Sequence, residues 1–181
     1  MQMSIHTLIQ EFLKLKGAEV GYGPDHPTSP NGALKDTVDA YFNRFPFLKQ
    51  DQGYVDFMRF YAGAWVDWQP YPELNDLVID IFGFTAVSRN ISEEDRLTYT
   101  SDESILEESG FIAFSEVFFG INEDSIPAQS FFFDITGDRD QGVYREVWQN
   151  GVKSEITWYC ESFLQWFEAI IRTQGKLPPK L

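Results

Sequence analysis

Apolar residues recur along this chain at two spacings, and the change from one to the other divides it. In SIHTLIQEFLKLK, residues 4–16, Ile5, Leu8, Ile9, Phe12 and Leu15 fall on one stripe of a 3.6-residue helix. Ser4 stands where an N-cap would accept the first free N–H groups, and Gly17 ends the run. The following stretch, 17–33, contains GAEVGYGPDHPTSPNG, too rich in Gly and Pro for regular structure, and predicts a long surface loop. A second helix is predicted over about 34–44, ending before Pro46, whose ring disfavours helical geometry in the preceding residue. A third is predicted near 53–62, where Tyr54, Phe57, Met58 and Tyr61 repeat at helical spacing and Gly63 closes the run.

Beyond Pro70 and Pro72 the runs shorten and the period changes. LVIDIFGF (Leu77 to Phe84), FIAFSEVF (Phe111 to Phe118) and QSFFFDI (Gln129 to Ile135) predict strands. GVYREVW (Gly142 to Trp148) and VKSEITWY (Val152 to Tyr159) flank Gln149-Asn150-Gly151. Asn-Gly predicts a hairpin there, because both residues accept the positive φ of a type I′ turn. Helical spacing returns in SFLQWFEAIIR, where Ser162 and Gln165 form a capping box and Phe163, Phe167, Ile170 and Ile171 supply a buried stripe. Helices, then strands, then a helix, with neither repeat nor linker, predict one α+β domain over residues 1–181.

Composition sharpens this picture. The 181 residues are 43% apolar and 17% aromatic, enough for a dense core, and one domain of this size buries about two-thirds of its unfolded surface. The formal charge of -14 argues against binding nucleic acid through its phosphates and against an anionic membrane surface. One cysteine, Cys160, leaves no intrachain disulfide and no multi-cysteine zinc site. No apolar run approaches the ~20 residues of a membrane span, and Ile5 to Leu15 is too interrupted for a signal-peptide core, so the chain reads as cytoplasmic.

Acids are unevenly placed. Residues 93–124 hold ten of them against Arg96 alone, a net -9 of the total -14. Such a block is ordinarily a solvated face, yet it would also steer a basic partner. Glu93, Glu94, Asp95, Asp102, Glu103, Glu123 and Asp124 are the candidate partner-binding residues, with Asp138 and Asp140 beside them. Trp65, Trp68 and Tyr71 form a reserve surface if exposed, although an aromatic cluster at a helix-to-sheet junction more often belongs to the core.

Catalytic and metal-binding chemistry finds little footing. FFFDITGDRDQG, Phe131 to Gly142, carries Asp134, Asp138 and Asp140. An EF-hand needs Gly at its sixth position and Glu at its twelfth; counted from Asp134 those are Arg139 and Arg145, and from Asp138 they are Val143 and Gln149. The stretch therefore reads as a turn with solvated aspartates, and no metal or other cofactor is expected. For nucleophilic catalysis the chain offers Cys160 with His6 or His26, and nothing in the spacing brings them together.

The order of elements resembles the SUKH superfamily, the Smi/Knr-type domain of bacterial immunity proteins and a fungal cell-wall-synthesis regulator. GYVDFMRFYAGA (Gly53 to Ala64), LVIDIFGF, FIAFSEVFFGINEDS, FFFDITGDRDQGVYREV and WYCESFLQWFEAII carry the resemblance, which spans about 53–171. It implies an α+β fold with a central, largely antiparallel sheet packed by N- and C-terminal helices, and no enzymatic activity. Bacterial members of the family look like cytoplasmic inhibitors of polymorphic toxins, many of them nucleases encoded next door. The resemblance thus implies an immunity protein that occludes a basic toxin. A regulatory scaffold like the fungal members, or a small hydrolase using Cys160 or a carboxylate pair, are the alternatives.

Overall fold

The computed structural model of the chain describes residues 3–29, 34–66, 77–81, 83, 110–119, 128–149, 151–179 and 181. Helix α1 (Ile5–Phe12) begins at its expected cap, the Ser4 hydroxyl accepting from the Thr7 N–H, and buries Ile5, Leu8, Ile9 and Phe12. Strand β1 (Ala18–Val20), helix α2 (Lys35–Arg44), a 3-10 turn (Pro46–Gln50) and helix α3 (Gln52–Phe60) follow. The remaining elements are β2 (Ala64–Val66), β3 (Leu77–Ile81), β4 (Phe111–Phe119), β5 (Ala128–Asp134), β6 (Val143–Gln149), β7 (Val152–Lys153), β8 (Thr157–Cys160) and α4 (Phe163–Thr173). The fold is α+β.

Among the described residues the strands form one eight-stranded sheet in the order β1-β2-β3-β4-β5-β6-β7, with β8 also beside β6. Every pairing is antiparallel. Alternation then gives the sheet two faces of different character. On the inner face Ala64, Val66, Ile79, Ile81, Ile112, Phe114, Val117, Phe131, Phe133 and Val143 meet the apolar stripes of the helices in one core. Trp166 and Phe163 of α4 reach furthest into it, lying 4.9 and 5.7 Å from the Phe114 ring. Each fully buried Phe of this kind stabilises the fold by about 1.5–3 kcal/mol. A bulge at Phe114 lets two residues of β4, Phe114 and Ser115, oppose Phe131 alone.

One carboxylate ties two helices to this layer. Asp51 Oδ1 accepts the Tyr54 N–H at the start of α3, and Oδ2 accepts the Phe163 N–H at the start of α4. Burial pushes the Asp51 pKa up, opposed by the backbone N–H groups of Phe163, Tyr54 and Gly53. Past α4 the chain folds back over the sheet, and Arg145 donates to the Pro178 and Pro179 carbonyls while its guanidinium lies over the Tyr159 ring.

Three expectations change. The Gly/Pro-rich stretch is not wholly a loop, since β1 lies inside it, paired with β2. Backbone bonds from Gly21 to Gly63 and from Gly23 to Phe60 continue the attachment, and a Cβ on Gly23 would stand 2.3 Å from the Arg59 carbonyl oxygen. VKSEITWY is two strands rather than one: the Ser154 N–H donates to the Val147 carbonyl and its hydroxyl accepts from the Val147 N–H, leaving 154–156 outside the ladder. The capping box of α4 has its first arm, Gln165 N–H to the Ser162 hydroxyl, but the Gln165 side chain reaches back to the Glu161 N–H instead of the cap's own.

Candidate functional site

The loop between β5 and β6 organises itself around its first aspartate. Asp134 accepts from the Thr136 hydroxyl and N–H, the Gly137 N–H and the Arg139 guanidinium. Partial burial pushes its pKa up, but those donors outweigh it and hold the carboxyl below its usual value. Arg139 also lies over the Phe111 ring at 4.3 Å. Asp138 and Asp140 are left exposed at the tip. Gly137 and Gly142 have positive φ, and a Cβ on Gly142 would stand 2.3 Å from the Cys160 carbonyl oxygen. The stretch is a turn, as its composition implies. No group of three or more His, Cys, Asp or Glu converges as metal ligands among the described residues.

Beside this loop a cavity of about 120 Å³ is bordered by Phe47, Asp51, Gly137, Arg139 and Asp140. Both Asp51 oxygens are already bonded to helix N–H groups. Cys160 is fully buried, with its thiol facing the Ser162 carbonyl and burial pushing its pKa up to about 12. A thiol in that state is no nucleophile at neutral pH. His6 shares a hydrogen bond with the Tyr61 hydroxyl, and His26 packs against Tyr22 and Tyr61. Those roles are structural.

Of the reserve aromatics, Trp65 sits in β2 opposite Asp80 and is 3% exposed, so it is buried on the outer side of the sheet rather than part of an accessible surface. Trp68 and Tyr71 lie outside the described residues, as do Glu93, Glu94, Asp95, Asp102, Glu103, Glu123 and Asp124. Among the described candidates, Asp138 and Asp140 alone are therefore placed on the surface.

The outer face of the sheet carries a feature that was not singled out in the sequence. Asp80, Glu116, Ser130 and Glu146 are successive partners across β3, β4, β5 and β6. One step along the strands, Phe118, Ala128 and Trp148 occupy the same face, since side chains two apart share it. Between β4 and β6, then, β5 offers small side chains, Ala128 and Ser130, and its neighbours offer large ones. The result is a channel floored by Ala128 and Ser130, with Phe118 and Glu116 on one wall and Trp148 and Glu146 on the other. Phe132, packed with Phe111 and Tyr144, closes one end.

The two walls differ electrically. On the β6 side the Trp148 indole N–H donates to Glu146 Oε2, and Lys153 Nζ stands 3.6 Å from that oxygen and 4.3 Å from the Trp148 ring centre. An ammonium is thus already held by one ring and one carboxylate. On the β4 side Glu116 has no ion-pair partner among the described residues, and Asp80 lies directly opposite. Partial burial and then the Asp80 charge push the Glu116 pKa above its ordinary value. Like charges directly opposed across a ladder destabilise it. The alternation of AFSEVFF and REVWQ, with Glu116, Phe118, Glu146 and Trp148 on one parity, is the sequence signal that marks this face.

Comparison with protein-family models, with curated proteins and with solved structures found no match to this chain. No helix among the described residues is long and apolar enough to cross a membrane.

Proposed function

We infer that the protein is a non-enzymatic binding module of the SUKH kind, an immunity protein that neutralises a cognate bacterial toxin in the cytoplasm. The carrying observation is the outer sheet face, where Phe118 and Trp148 are 37% and 38% exposed and Glu116 is exposed on β4, between β3 and β5. Large exposed aromatics are the usual anchors of protein interfaces, and carboxylates around them select a basic partner. The net charge of -14 extends the same preference over the whole molecule. A toxin that cleaves nucleic acid carries Lys and Arg to grip phosphates, and an acidic inhibitor satisfies those groups while covering the active site. Inhibition on this reading is occlusion, with no bond made or broken.

The test is co-expression with the toxin domain encoded beside this gene. Growth restored by this chain, together with a 1:1 complex of the purified proteins, is the expected result. Undiminished killing with no complex formed would overturn the immunity reading and favour the scaffold role.

A further inference from the structure

We propose that the channel over β5 is the docking slot for an arginine side chain of the partner protein. This deepens the binding reading above and rests on it. The argument begins with spacing. Phe118 and Trp148 stand on strands two apart in the sheet, so their backbones are separated by about 9.5 Å at the usual strand spacing. Only Ala128 lies between them on that face. A planar guanidinium stacked between two rings needs about 7 Å, less than that backbone separation.

Charge selects the occupant. One step along the strands Glu116 and Glu146 flank Ser130, but Glu146 is 8% exposed and bonded to Trp148 and Lys153, so a guanidinium lying over Ala128 meets the exposed Glu116 carboxylate next to the Phe118 ring. Glu146 is matched by Lys153, whereas Glu116 faces Asp80 and has no cation among the described residues. An incoming cation gives Glu116 an opposite charge. Lys153, seated over Trp148 against Glu146, is the internal precedent: this surface already binds an ammonium by ring and carboxylate together. Arginine fits the unfilled half better than lysine, because its flat, weakly hydrated group stacks on rings while donating along its edge.

The hairpin carboxylates are not part of this slot. Asp134, where the hairpin loop begins, is six residues along β5 from Ala128, about 20 Å at strand rise.

Two measurements test the slot. In the first, affinity for the neighbouring toxin domain is compared for the wild type, Glu116→Lys, Phe118→Ala and the control Glu11→Lys on α1. The three substituted side chains are exposed (Glu116, Phe118) or half-buried (Glu11), so folding is checked by circular dichroism and expected to hold. Losses of at least tenfold for the two slot variants, with the control within twofold, are expected. Equal affinity for all variants overturns the slot and leaves the immunity reading standing. In the second, N-acetyl-arginine amide is titrated while following the Trp148 indole N–H resonance, assigned with Trp148→Phe. A saturable shift in the millimolar range, absent in Glu116→Gln and absent with N-acetyl-glycine amide, is expected. This arm needs no toxin, so a failed toxin complex still leaves the slot decided. No shift beyond that of the glycine compound overturns it.

Discussion

At the scale of single residues, the most consequential side chain is polar and buried. Asp51 serves two helix starts with one carboxylate, one oxygen to each. A lost cap costs about 1 kcal/mol, so Asp51→Ala is expected to lower stability by about 2 kcal/mol, read as a shift of the urea midpoint. Asp51→Asn keeps one acceptor oxygen and is expected to cost about half as much. The apolar spacing over 53–62 marks the α3 run but not its cap, and the cap's second partner, in α4, depends on three-dimensional packing that no local pattern encodes. Trp65 shows the reverse case: its neighbourhood of aromatics looks the same in sequence whether buried or exposed, and it is buried opposite Asp80 on the outer side of the sheet.

At the scale of elements, periodicity located α1, α3, α4 and the long strands because each buries one face and exposes the other. It missed β1 and β2, which have three residues each, too few for a period to register. The β5–β6 loop is a third case, in which turn residues predict the turn but not its electrostatics. Asp134 holds the loop by accepting from Thr136, Gly137 and Arg139, and its pKa is depressed in consequence. A depressed folded value means that its stabilisation is complete above the ordinary aspartate pKa of about 3.9 and is lost as pH falls through the lower folded value. Acid titration followed at the Thr136 and Gly137 amide resonances is expected to show the loop releasing below pH 4. Asp134→Ala is expected to abolish that titration; an unchanged profile would place the acid sensitivity elsewhere.

At the scale of the whole molecule, the described helices pack on the inner face of the sheet, Phe118 and Trp148 stay exposed on the outer one, and the charge of -14 favours a basic partner there. Association with a basic partner is expected to slow by tenfold or more between about 10 and 500 mM salt, while dissociation changes little, because screening acts on encounter. Stopped-flow rates across that range check it; a salt-independent association rate would remove the steering argument. The acidic character of the molecule was legible in composition, and the α+β order in the succession of periods. The channel over β5 was not, because it needs the register that sets Glu116 beside Ser130 and Ser130 beside Glu146. Register is a property of paired strands, and each strand read alone is silent about it.

The double cap at Asp51 also sets a timetable for the nascent chain. Its two N–H partners lie on either side of strands β2 to β8 in sequence, and Phe163 is 112 positions after Asp51. At about 5–20 residues per second, a ribosome needs roughly 6 to 22 s to travel from one to the other. The inner-face rings of Phe114, Phe131 and Phe133 are made before Phe163, Trp166 and Phe167, so they stay uncovered until α4 follows.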